Sequence, residues 1–238
     1  MPRSVRARLF LALTLFASNA VAQDHLTPED DPFAQDEYHA KIREVFADVL
    51  HHDILVQVLL VPSFQPEEIA GIRRSEKGFE AFASKPSAQI WTTFNIQEIE
   101  SGKQRWMDEH DKPIPPEKNP SLPDMKKRAP SDYREIHVHT DTRAISDALT
   151  ERIRTIWQDM LANARQPTDR NLGVDGEDYH FSMPLRDRGI VSATVWSPSG
   201  GKTLALVSLG EALADYASGR ADEATLIRRL KPLERKKA

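Results

Sequence analysis

Between residues 53 and 84 the chain offers one extended apolar run after another, with no helical pattern separating them. That succession limits the fold more than any other feature. Neighbouring parallel strands need a crossover of a dozen or more residues, usually a helix, whereas antiparallel strands need only a turn. Ile54-Leu55-Val56 and Val58-Leu59-Leu60-Val61 make residues 53–62 suited to a buried strand. Residues 69–74 and 79–84 flank Ser75-Glu76-Lys77-Gly78, a hairpin turn by composition. Residues 90–99 alternate, with Ile90, Thr92, Phe94, Ile96 and Glu98 on one side, and extend the meander as a further strand.

Helical stripes flank this block. Tyr38, Ile42, Val45, Phe46 and Val49 recur at three- and four-residue steps over residues 35–50. A short strand at 134–139 precedes the clearest helix, in which Ile145, Leu149, Ile153, Ile156, Trp157 and Met160 share a face to about residue 164. Thr140 or Asp141 is the expected N-cap, because a side-chain oxygen there accepts from first-turn amides. Strands follow near 179–183 and 189–196. A second helix carries Leu206, Leu209, Leu213 and Tyr216 and ends near Gly219, and a last short one spans 222–230. Strands grouped early and then mixed with helices predict an α+β fold. Its form is an antiparallel meander or sheet packed with one long helix and two or three shorter ones.

The expected organisation is a single α+β domain over 35–230, a polar arm at 23–34 and a basic tail at 231–238. Residues 101–132 interrupt the pattern with six of the sixteen prolines, among Lys112, Lys118, Lys126, Lys127 and Arg128. Proline fixes φ and donates no hydrogen bond, so a flexible basic loop with little regular structure is expected there.

Residues 1–22 have the pattern of a secretory signal peptide. Arg3, Arg6 and Arg8 precede an uncharged apolar stretch at 9–17, and Ala20-Val21-Ala22 supplies a small-x-small cleavage site. The expected product is periplasmic or secreted, cleaved after Ala22, with no membrane span afterwards. Without the three leader arginines the chain has 29 basic and 36 acidic residues, a formal charge of −7. That balance argues against nucleic acid as a partner. The chain contains no cysteine, which excludes disulfides, thiolate zinc sites, iron–sulfur ligation and a cysteine nucleophile.

His137-Val138-His139-Thr140-Asp141 is the most suggestive cluster. Residues two apart on a strand share a face, so both imidazoles and Asp141 could approach one zinc ion. The run resembles part of the H-x-H-x-D-H motif of metallo-β-lactamase-like hydrolases, with Thr142 where that motif has its last histidine. Gly201-Lys202-Thr203 resembles the end of a phosphate-binding loop, but Trp196 stands where the first glycine belongs. What survives is an anion or ligand turn at Ser199, Gly200, Gly201 and Lys202, with a strand-to-helix turn as the plain reading. Ser199 and Lys202 also fit S-x-x-K, without the S-D-N or K-T-G that accompany it. Asp169, Asp175, Glu177 and Asp178 fail the spacing of a calcium loop. His51-His52-Asp53 reads as an exposed junction, no G-x-S-x-G is present, and Trp106 is a candidate contact residue beside the Pro-rich segment.

Trp157-x-x-Met160-Leu161, Asp175-Gly176-x-x-Tyr179-x-Phe181-Ser182 and Trp196-Ser197-Pro198 together resemble a group of uncharacterised secreted proteins of Gram-negative bacteria. The resemblance covers about residues 144–217 and implies a shared framework of helix, two strands and helix, without an activity. With no complete catalytic motif and no cofactor loop, the leading expectation is a non-enzymatic binding protein of the cell envelope. Its partner would be an envelope protein or another macromolecule, in an accessory or inhibitor-like role. The alternatives are a zinc hydrolase using His137 and His139, and a binder of a small ligand or envelope glycan. No cofactor is expected outside the zinc alternative.

Overall fold

A computed structural model of the chain describes residues 25–104, 106–107, 112–166 and 176–234. The segment 1–22 expected as a leader, Asp169, Asp175, the Trp106 side chain and the tail from 235 onward lie outside the described residues. The strands are β1 (Thr27–Glu29), β2 (Ile54–Pro62), β3 (Glu68–Ser75), β4 (Gly78–Pro86), β5 (Trp106–Met107), β6 (Pro113–Ile114), β7 (Val138–Ile145), β8 (Glu177–Leu185) and β9 (Gly189–Trp196). Seven of them form one sheet in the order β1-β9-β8-β2-β3-β4-β7, every neighbouring pair antiparallel. β5 and β6 make a separate two-stranded ribbon. The helices are α1 (Glu37–Val45), α2 (Ala47–Leu50), α3 (Ile90–Glu100), α4 (Leu122–Arg128), α5 (Asp147–Ala162), α6 (Gly201–Ala217) and α7 (Glu223–Leu230). The fold is α+β.

Strand alternation sends side chains to two faces, and each face is covered. On one, Val56, Val58, Ala70, Ile72, Ala81, Phe181 and Val195 meet Ile153 and Trp157 of α5, Leu206, Leu209 and Leu213 of α6, and Leu226 of α7. α6 approaches closely because residue 210 is glycine: a Cβ there would lie 2.9 Å from Val58 Cγ1. On the other face Leu59, Ile69 and Phe82 meet Ile42, Phe46 and Val49 of α1–α2, Ile90 of α3, and Tyr133 and Ile136. α1 starts where it does because the Asp36 carboxylate accepts from the His39 amide at 2.8 Å.

The structure departs from the sequence reading in four places. Residues 90–100 are helix α3 rather than a strand. Their β-branched content favours extended chain, yet the same residues carry a three-residue stripe, Ile90, Thr93, Ile96 and Ile99, all buried. Ile96 and Ile99 bury against Leu122 and Ala129, and the Glu67 carboxylate accepts from the Ile90 and Trp91 amides at the helix start. Tertiary packing overrides local propensity here. The strand expected at 134–139 begins at Val138 and runs on to Ile145, so neither Thr140 nor Asp141 is a cap; α5 begins after Ser146. Eight residues of pairing with β4 outcompete the earlier cap.

The polar arm includes β1, which extends the sheet edge beside β9. The Pro-rich segment is also more regular than expected, with the β5–β6 ribbon, a 3₁₀ turn at Pro116–Lys118 and α4. Proline fits there at helix starts, where its missing N–H is not needed. Lys126 pairs with Glu100 and Lys127 with Asp124, so part of the local positive charge is matched.

Candidate functional site

The face of the sheet under α1 changes character from apolar to polar between β2 and β1. Directly opposed residues on antiparallel strands project to the same side. Gln57 opposes Ser182, Ser182 opposes Ser192, and Ser192 opposes Glu29, which makes one polar row across four strands. In the next row Leu59, His180, Thr194 and Thr27 succeed one another. Gln57, His180, Ser182 and Ser192 are all buried. Gln57 Oε1, Glu29 Oε1, Ser192 Oγ, Thr194 Oγ1 and His180 Nε2 have no protein hydrogen-bond partner. A buried polar atom left unpaired costs about 1–3 kcal/mol. Five of them on one face form a polar floor whose open valences call for ordered water or a ligand.

A cleft of about 650 Å³ opens onto this floor. Its apolar walls come from Phe33, Leu50 and Ile54 on one side and from Pro184 and Ile190 of the β8–β9 hairpin on the other. Gln57 and Ser182 are its buried polar members. Ile190, 66% exposed, presents apolar surface at the cleft rim. Arg43, Glu44, His51, His52 and Asp53 surround the opening. Arg43 pairs with Asp31 and lies 5.5 Å from the Phe33 ring centre, which fixes one wall. A mostly apolar cleft with a few convergent polar groups is the usual form of a small-molecule site.

Behind the cleft, outside its lining, sits a histidine–carboxylate cluster. His180 Nδ1 lies 3.0 Å from Glu29 Oε2, and the Gln35 amide donates to that same oxygen at 2.6 Å. The His39 ring meets His180 edge-on at 5.4 Å and bonds Asp36 Oδ1 through Nδ1 at 2.8 Å. Burial raises the Asp178 pKa above the usual carboxylate value, with Glu29 adding to the shift and His180 and His39 opposing it. A histidine oriented by a carboxylate is a component of acid–base catalysis. His180 is 3% exposed and does not line the cleft. The cluster acts as a polar pillar between α1 and the sheet.

The residues singled out from sequence lie elsewhere. His139 Nε2 bonds Asp141 Oδ1 at 3.1 Å on the exposed strand β7, while His137 precedes that strand and is also exposed. Among the described residues no group of three histidines or carboxylates is placed to hold a metal ion. The zinc set His137, His139 and Asp141 is therefore not assembled: His137 falls outside the strand whose alternation was to align it. Ser199, Gly200, Gly201 and Lys202 form the turn into α6, with Gly200 at the N-cap and Gly201 at φ +67°. That turn follows the far end of β9 from the cleft. Trp106 pairs through its backbone with Ile114.

The floor was missed because Tyr179-His180-Phe181-Ser182-Met183 and Val191-Ser192-Ala193-Thr194-Val195 read simply as strands, and a strand's pattern does not say what covers its polar side. The one available signal was that the second side of both strands carries short polar groups and no lysine or glutamate. No protein-family model matches the chain, and no curated protein and no solved structure is significantly similar to it. Among the described residues no helix is long and apolar enough to cross a membrane.

Proposed function

We propose that the chain is an exported, non-enzymatic binding protein, and that the cleft between α1–α2 and the β8–β9 hairpin takes a small apolar molecule carrying a hydrogen-bond donor. The observation that carries this reading is Gln57, which lines an apolar-walled cleft and whose carbonyl oxygen is buried without a partner. An acceptor held dry in this way favours a ligand that donates to it, and discriminates against an analogue that cannot. The arginine-led pattern at 1–22 supports export. The small-ligand alternative read from sequence rested on the turn at Ser199–Lys202; the cleft offers that class of ligand a different site. A macromolecular partner recruited by the basic 101–132 segment is weaker, because Lys126 and Lys127 are already paired.

N-phenyl-1-naphthylamine is a suitable probe, being apolar, fluorescent and equipped with one N–H. Titration should show saturable fluorescence enhancement. Gln57→Leu or the N-methylated probe should weaken binding about tenfold, the worth of one hydrogen bond. Equal affinity for both probes, or no loss in Gln57→Leu, would contradict the assignment.

A further inference from the structure

β7 is an edge strand of the seven-stranded sheet, and among the described residues no strand pairs with its outer side. Which of its backbone groups face outward follows from the ladder with β4. The Ser87 amide donates to the His137 carbonyl at 2.8 Å. Hydrogen-bonded and non-hydrogen-bonded pairs alternate along an antiparallel ladder. His139, Asp141 and Arg143 therefore turn their N–H and C=O toward β4, whereas Val138, Thr140, Thr142 and Ala144 turn theirs outward. The Ala144 carbonyl is already taken by the Tyr216 hydroxyl at 2.6 Å. Three residues remain, Val138, Thr140 and Thr142, placed symmetrically about Thr140.

We propose that two copies of this chain pair antiparallel through the outer edge of β7, on a two-fold axis at Thr140. Thr140 then opposes the second copy's Thr140, and Val138 opposes the second copy's Thr142. Each such pair exchanges two backbone bonds, about six in all. Between them, His139 falls opposite the second copy's Asp141, once on each side of the axis. These side chains are 80% and 42% exposed and approach each other within one strand already, so they are sterically available and chemically matched. Neighbouring registers are worse. An axis at Asp141 sets two carboxylates against each other, and an axis at Thr142 draws on the Ala144 carbonyl that Tyr216 holds. Charged side chains on an edge strand ordinarily discourage pairing. Here an imidazole facing a carboxylate favours one partner in one register, an isologous two-fold contact.

The absence of cysteine makes the test clean. Thr140→Cys in the full chain places the new thiol opposite its own copy at a Cα separation of about 5.5 Å, within disulfide reach. Mild oxidation should give a covalent dimer. Thr142→Cys sits four residues from its counterpart, roughly 13 Å along the strand, and should stay monomeric. By sedimentation equilibrium the unsubstituted chain should show a concentration-dependent dimer. Thr140→Pro removes an outward N–H, leaves the β4 ladder intact and should abolish that dimer. A strictly monomeric chain, or cross-linking of Thr142→Cys as fast as Thr140→Cys, would overturn the proposal. A dimer that survives Thr140→Pro in the folded protein would do so as well.

Discussion

Glu67 joins two helices through one fully buried carboxylate, which accepts from the Tyr38 hydroxyl at 2.5 Å and from the Ile90 and Trp91 amides. Burial, and then the neighbouring Glu67, push the Tyr38 pKa far above the ordinary phenol value, so that hydroxyl remains a donor. Glu67→Ala leaves three donors without an acceptor and should lower unfolding free energy by about 3 kcal/mol in urea titration, with Glu67→Gln losing less. An unchanged midpoint in the alanine variant would contradict this role. Asp178 acts in the opposite sense. Its folded pKa is raised, mainly by burial, so the native state holds its proton longer than the unfolded chain does. Stability should therefore fall as pH rises from the ordinary carboxylate value through the elevated one. Asp178→Asn should remove that slope and raise the melting temperature at pH 7. Neither role was legible in the sequence, because each depends on what a distant element places around the carboxylate.

At the scale of elements, legibility followed periodicity. The stripe in α5 has one apolar side that must be covered, and the near-continuous apolar run of β2 calls for cover on both. α3 shows where this fails. Ile90, Thr92, Phe94 and Ile96 satisfy a two-residue period while Ile90, Thr93, Ile96 and Ile99 satisfy a three-residue one, and only Glu67 and α4 decide between them. Termini were harder still, as the extension of β7 past Asp141 shows. α1 depends on a local device: Asp36 accepts from both the amide and the ring of His39. Asp36→Ala should cost about 1 kcal/mol of stability. It should also loosen the α1 wall, seen as weaker binding of the fluorescent probe. Intact probe affinity alongside the stability loss would separate α1 from the cleft.

Across the whole molecule, the sheet divides two unlike interiors. The α5–α6–α7 side is apolar from β9 to β4, whereas the α1–α2 side is apolar only over β2, β3 and β4 and polar from β8 outward. Alternation alone does not say whether that polar half is covered; it is buried because β1 extends the sheet beside β9 and α1 lies against it. The burial of those groups is a long-range consequence of a three-residue strand and a nine-residue helix, which no local pattern announces. Buried side chains that lack partners weaken the fold, and their retention is understandable where they serve a ligand.

The direct measurement is the thermal stability of the combined variant Gln57→Leu, Ser192→Ala, Thr194→Val. If these groups serve a ligand at the expense of the fold, the variant should melt about 2–4 °C higher for each kcal/mol relieved and lose the probe. A variant that melts lower, or binds the probe as well as before, would show that the polar floor supports the fold itself.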